Sequence, residues 1–333
     1  MAAPESRVSA APRDSLAIGG VPLRIEAATA ALAARVAAWA ERALALTDPS
    51  PPQEPLRLHV FANGAPPQPP TGARELAAFG TCRVLRDAGR VFLLLPQARC
   101  ALDLADGRAR IWLAAAWWGE PLKTQQDPWL LTLVWLLRER GLYALHASCV
   151  AWGDLGLAIV GPSGSGKSST ALSLMQAGWD WVADDVVLVE PGPPARLHGL
   201  AQGFSFHPRL ADRLPGLDGV SLGEKRFADA RAVFSGRQLP FCRPAALLFP
   251  HVVAGETSRI DRLSPAEALM ALLPAVGGIL SGGPVRQSQT QLAALGALAA
   301  AVPAYRLHAA RDIFGDGAAL DALLAAGGVA LHA

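Results

Sequence analysis

Residues 157–169 read Leu157-Ala158-Ile159-Val160-Gly161-Pro162-Ser163-Gly164-Ser165-Gly166-Lys167-Ser168-Ser169. The first four form an unbroken apolar run, as expected of a strand covered on both faces. Gly161 to Ser168 then match G-x-x-x-x-G-K-[ST] at every fixed position. Ser169–Gln176 has a helical pattern, and Gly178 closes it. Strand, glycine-rich loop and helix in this order are the context a phosphate-binding loop requires. Glycines let the backbone wrap closely and turn successive N–H groups inward, and the helix N-terminus adds partial positive charge. On this reading Gly161, Ser163, Gly164, Ser165, Gly166, Lys167, Ser168 and Ser169 line the phosphates of a nucleoside triphosphate. Lys167 reaches the β- and γ-phosphates, and the Ser168 hydroxyl binds Mg²⁺.

Downstream, Trp181-Val182-Ala183-Asp184-Asp185-Val186-Val187-Leu188-Val189 sets two acids between apolar runs. The intervening helix is long enough for one crossover, so the pair falls at a strand end near the loop. Asp-Asp is common in surface turns. Beside a polyphosphate, two carboxylates need another reason. One is Mg²⁺, which carboxylates hold directly or through water. The other is a general base that takes the proton of an attacking hydroxyl. Upstream, His146 lies in Tyr143-Ala144-Leu145-His146-Ala147-Ser148-Cys149-Val150. It is either a core histidine satisfied by a backbone carbonyl or a residue that shares a proton with Asp184.

Leu145-His146-Ala147, the glycine-rich loop and Gly178-Trp179-Asp180-Trp181-Val182-Ala183-Asp184-Asp185 resemble, in order and spacing, the C-terminal kinase domain of HPr kinase/phosphorylase and its stand-alone relatives. The resemblance covers residues 140–190 well and thins toward 310. It implies an α/β P-loop kinase domain with a phosphoenolpyruvate-carboxykinase-like core. It also implies ATP and Mg²⁺ as cofactors, Asp184 as the general base toward a serine hydroxyl with His146 assisting, and Asp185 supporting the metal or the base. Catalytic residues are then Asp184, His146 and Lys167, and metal-binding residues Ser168 and Asp185. A homo-oligomer is a further implication. The chain departs from the family in three respects. Ser169 stands where the family has an acid, no metal-binding glutamate signature is recognisable in 199–220, and the family's HPr-binding and phosphorolysis segment is not evident, which puts the HPr substrate and the reverse reaction outside the expectation.

The expected function is therefore transfer of the ATP γ-phosphate to a hydroxyl, a serine of a peptide or small protein, as in kinases that modify ribosomal peptides. The rivals are a small-molecule hydroxyl kinase and a regulator that binds ATP and transfers nothing.

The rest of the chain bounds this reading. Of 333 residues, 51% are hydrophobic and 17% charged, which excludes a wholly disordered chain. Thirty Lys+Arg against 28 Asp+Glu leave +2, so no global charge points to nucleic acid or an anionic membrane. The four cysteines have no metal or disulfide spacing. Residues 1–20 have no apolar segment of the signal-peptide kind and read as a flexible tail. Ala268–Val285 and Gln287–Tyr305 are interrupted by Pro, Gly and polar residues and do not read as spans. A cytoplasmic protein with no membrane or nucleic-acid partner is expected.

Residues 21–125 read as a smaller α+β region: a helix over Ala27–Leu46, a strand at Leu56–Phe61, and two or three strands between Val84 and Leu113. Residues 126–333 are the P-loop domain. A helix is expected to start at Asp127-Pro128, a strand over Leu142–Trp152, and a capping box at Ser264-Pro265-Ala266-Glu267. Residues 191–240 have no readable pattern. Lys225, Arg226, Arg231 and Arg237 are either a solvated charge run or cations for a phosphate. Leu280–Gly283 opens like a transporter-ATPase signature but lacks its acidic strand.

Overall fold

A computed structural model describes residues 16–48, 53–62, 65–66, 68–201, 203–211, 217, 219–276 and 285–329. The chain divides into two units, 1–140 and 141–333. The expected tail lies mostly outside the described residues. Its described end begins a strand instead, because Ala17 and Ile18 are buried.

The first unit is one eight-stranded sheet carrying two helices. Its elements are β1 (Leu16–Ile18), β2 (Val21–Ala27), α1 (Ala30–Ala43), β3 (Leu56–Phe61), β4 (Arg74–Phe79), β5 (Cys82–Asp87), β6 (Arg90–Leu94), β7 (Ala98–Asp103), β8 (Arg108–Leu113) and α2 (Leu122–Arg138). The strand order is β1-β2-β3-β8-β7-β6-β5-β4. β2–β3 and β3–β8 are parallel, and the remaining neighbours antiparallel. Alternation sets the faces: Leu56, Leu58 and Val60 are buried, while Arg57, His59 and Phe61 face the other way. Thr29 caps α1 by accepting from the Leu32 N–H at 3.2 Å, and Leu32, Val36, Trp39, Ala40 and Ala43 form its buried stripe. Trp39 packs on Trp117 and Trp129, with ring centroids 5.6 and 4.8 Å away.

α2 begins at Leu122, before Asp127-Pro128, and Pro128 lies inside it. The missing Pro128 N–H is tolerated because tertiary bonds hold the turn ahead of it. Gln125 Nε2 donates to the carbonyls of Trp118 and Glu120, and Gln126 Nε2 to that of Ala43. The unit boundary thus falls after α2, whereas the sequence reading drew it at 125/126.

The second unit opens with β9 (Tyr143–Leu145), β10 (Ala147–Trp152), β11 (Leu155–Val160), α3 (Lys167–Gln176), β12 (Asp180–Ala183), β13 (Val187–Glu190) and β14 (Arg196–Gly199). β15 (Phe204–Phe206), α4 (Pro208–Ala211), β16 (Val220–Leu222), β17 (Lys225–Ala228) and α5 (Ala230–Val233) follow. It ends with β18 (Phe241–Val252), β19 (Arg259–Leu263), α6 (Pro265–Leu272), α7 (Val285–Ala301), β20 (Ala304–Ala309) and α8 (Gly317–Ala326).

The main sheet runs β12-β10-β11-β18-β14-β13-β9, with β20 joined to β18 and β19 to β20. Both faces are covered. Val150, Leu157 and Ile159 enter the core shared with α3 and α8. Cys149, Ala158 and Val160 enter the core shared with α6 and α7. That two-sided burial explains why Leu157–Val160 does not alternate. Gly156 on β11 admits the Cys242 side chain; a Cβ there would lie 2.2 Å from its Sγ. All four cysteines are free and buried. The Ser264–Glu267 capping box forms as expected. Among the described residues no helix is long and apolar enough to cross a membrane.

The expected single strand over Leu142–Trp152 is two strands, broken at His146. β9 pairs with β13 and β10 with β11 and β12, so they lie toward opposite ends of the strand order. His146 alone connects them. The same holds for β12 and β13, joined by Asp184-Asp185-Val186. The sheet rolls, β13 packs near β10, and β14 packs near β12. Two chain crossings bridge the seam of the roll, and both carry residues singled out from the sequence.

Candidate active site

The glycine-rich loop follows β11, and Lys167 is the first residue of α3. Gly166 takes φ +100°, a left-handed value that favours glycine. It caps α3 without a side-chain hydrogen bond, which leaves the helix start to bind an anion. Gly161 is also held to glycine, because a Cβ would lie 2.6 Å from Ser165 Oγ. That Ser165 hydroxyl is buried with no hydrogen-bond partner among the described residues. A buried orphan hydroxyl inside a glycine loop fits a phosphate oxygen.

Lys167 is buried at 7% exposure. Its Nζ donates to the carbonyls of Gly161 at 2.8 Å and Pro162 at 3.0 Å, and to His146 Nε2 at 3.1 Å. His146 Nδ1 lies 2.9 Å from the Asp185 carbonyl and 3.4 Å from its Oδ1. A carbonyl accepts only, so Nδ1 carries the hydrogen. An ammonium donates only, so Nε2 accepts. The imidazole therefore spans the seam as a neutral bridge from Asp185 to Lys167. His146 bonds a backbone carbonyl but is not a core histidine, its side chain being 40% exposed, and its partners are Asp185 and Lys167 where Asp184 was expected.

Asp184 is buried at 3% exposure. It accepts from Ser168 Oγ at 3.0 and 3.1 Å, from the Ser205 N–H at 3.3 Å, and from Ser148 Oγ through a short bond. Burial raises its pKa, the neighbouring Asp185 raises it further, and the bonds from Ser148, Ser168 and Ser205 oppose the rise. Burial also lowers the pKa of Lys167. Asp184 and Asp185 counter that effect, and Lys225 adds to it. Asp185 has φ +70°, one of two non-glycine residues with positive φ among those described. Its side chain is 39% exposed. Strained backbone of this kind gathers at functional sites.

The expected residues thus come together. Ser148 and Ser205 were not anticipated. Ser148 stands two places after His146 on β10, a spacing that signals a shared strand face. Ser205 sits on β15, within the segment without a readable pattern. β15, β17 and β16 form a small sheet there, which places Ser205 on Asp184. The cations of that segment divide. Arg237 is structural: it bonds the carbonyls of Met175 and Trp179 behind α3 and pairs with Asp180 at 3.6 Å. Arg231 pairs with Asp229. Trp179 and Trp181 pack in the core. Leu280–Gly283 lies outside the described residues.

Among the described residues there is no cluster of three or more His, Cys, Asp or Glu suited to a metal. Ser168 with Asp184 supplies hard oxygen donors. That set fits Mg²⁺, which binds through one or two carboxylates together with substrate phosphates.

Residues 141–207 match the family model described as the HPr Serine kinase C-terminal domain. The match begins at the first residue of the second unit and spans β9 to β15 with the glycine loop and the acid pair. A solved structure of the Hpr(Ser) kinase/phosphatase from Coxiella burnetii is 15% identical, covering 36% of this chain and 72% of its own, with a TM-score of 0.24. No curated protein matches the chain.

Proposed function

We propose that the second unit is an ATP- and Mg²⁺-dependent kinase with a P-loop core of the phosphoenolpyruvate-carboxykinase-like kind. It transfers the γ-phosphate to a serine hydroxyl of a peptide or small protein. The observation that carries this reading is the bond from Ser168, inside the glycine loop, to the Asp184 carboxylate, with Lys167 beside it. Ser168 and Asp184 are the residues that would hold Mg²⁺, which supplies charge neutralisation to phosphates. Lys167 and the α3 N-terminus bind and orient the phosphate chain. His146 is a positioning residue, since both of its nitrogens are committed to Lys167 and Asp185.

The acid pair has two assignments. The family resemblance makes Asp184 the base, and its raised pKa supports proton uptake. The geometry favours Asp185 for that role. The Asp184 oxygens already receive three donors in a buried position, whereas the Asp185 carboxylate is 39% exposed beside His146, where solvent and an acceptor hydroxyl reach it. Asp184 then stays ionised on the metal side, and Asp185 takes the proton.

The test is label transfer from γ-labelled ATP with Mg²⁺, in a lysate of the source cells, with polypeptides separated from small molecules. A labelled polypeptide lost in Lys167→Ala and in Asp185→Asn supports the proposal. A labelled small molecule would make the chain a small-molecule kinase. ATP binding without any labelled product would make it a regulator.

A further inference from the structure

The face of the first unit's sheet opposite Leu56, Leu58 and Val60 has an ordered chemistry on β2, β3 and β8. Its registers align side chains in rows across the strands. One row runs Asp87, Arg90, Asp103, Arg108, Arg57, Arg24, across β5, β6, β7, β8, β3 and β2. Its last three members are arginines on adjacent strands. The next row places Arg110 beside His59 and His59 beside Glu26, and the row after that places Phe61 beside Trp112.

Like charges directly opposite one another destabilise a sheet, so three arginines in a row call for an anion. Arg24 has one, Glu26 at 3.1 Å, which His59 also shares. Arg57, Arg108 and Arg110 form no ion pair within 4.0 Å among the described residues, although Asp103 stands opposite Arg108, and Arg108 and Arg110 are exposed. On β2, β3 and β8 this face therefore carries Arg24, Arg57, Arg108 and Arg110 against Glu26.

We propose that this face docks an acidic polypeptide segment. Guanidinium forks match carboxylates two bonds at a time. Three observations favour carboxylates over a nucleic-acid backbone. Phe61 and Trp112 stack on each other at 4.8 Å and 16°, so each gives one ring face to the other and not to a base. Asp103 and Glu26 flank the arginines on either side and would repel a continuous phosphate chain. The whole chain is near neutral, without the broad basic footprint of a nucleic-acid binder. The inference does not depend on the kinase reading of the other unit.

The experiment is fluorescence anisotropy on the full chain. The probe is a fluorescein-labelled peptide of alternating glutamate and tyrosine. A lysine–tyrosine peptide and an oligothymidylate serve as comparisons. The glutamate–tyrosine probe should bind, and binding should weaken as salt is added. It should fall by about tenfold or more in R57Q/R108Q, the loss of two charge-assisted bonds. The unfolding midpoint of that variant should equal or exceed that of the parent, because a like-charge contact is removed. R110Q, one row away, should weaken binding independently. K167A should bind the probe normally, which keeps this outcome separate from that of the kinase. Equal binding of the lysine–tyrosine peptide, unchanged binding in both arginine variants, or tighter binding of oligothymidylate would overturn the proposal.

Discussion

The Ser168 hydroxyl bonds both oxygens of the Asp184 carboxylate, at 3.0 and 3.1 Å. The first turn of α3 is thereby tied to the seam of the rolled sheet. Asp184→Asn keeps an acceptor for the serines and removes the charge. Without a carboxylate on the metal side, phosphoryl transfer should fall by about 10²- to 10³-fold. Stability should move the other way. The folded-state pKa of Asp184 lies above its ordinary 3.8, so its charge opposes folding once the pH exceeds that value. Below 3.8 the group is neutral in both states and the difference vanishes. Thermal unfolding across a pH series should show the Asn variant melting higher at neutral pH and converging with the parent in acid.

Lys167 reaches the site through a buried Nζ with acceptors on the loop and on His146. In Lys167→Ala, the affinity for Mg-ATP should drop by about 10- to 100-fold, the value of a charge-assisted bond. Isothermal titration calorimetry measures this directly.

Asp185 combines left-handed backbone with a half-exposed carboxylate, and substitutions separate the two. Asp185→Ala keeps the strain without the tolerance of Asp for that conformation, and should cost about 1 kcal/mol. Asp185→Gly should not. Both should lose transfer. Urea unfolding and label transfer on the same two proteins distinguish backbone from chemistry.

His146 acts through its neighbours. His146→Ala should lower kcat by about 10²-fold through misplacement of Lys167 and Asp185, with a smaller change in the KM for ATP. His146→Gln, which can still donate and accept, should recover part of the loss. A uniform fall in folded protein would not produce that split.

Much of the second unit was legible because its signals are local. The apolar run before Gly161, the loop, the helix after it and the capping box at Ser264 all follow from adjacent residues. The break at His146 was not, since Leu142–Trp152 is apolar throughout and only tertiary pairing divides it. Pro128 misled for the reverse reason: it is a strong local start signal, and distant carbonyls bound by Gln125 and Gln126 extend the helix past it. Ser205 was out of reach because β15, β16 and β17 are strands of three or four residues in a Pro- and Gly-rich segment. They exist because Phe204, Phe206 and Ala228 bury in the core on one face, while Phe227 is buried on the other. The site was therefore readable as a set of motifs, while the contacts around Asp184 depend on the roll of the sheet.

That roll has a bearing on self-association. A sheet with open ends offers unpaired backbone to any other chain that can add a strand. Here two of the outermost strands, β9 and β12, each lead through a connection of one or three residues to a strand near the far end of the order. Trp181 on β12 already bonds Arg237 and Leu239 along its outer edge, and a second copy adding beside β9 would have to wedge at His146. His146, which the proposed function sets beside the phosphate-binding lysine, thus also stands where strand addition at β9 would begin, so a substitution there is exposed to two selections, one for turnover and one against aggregation.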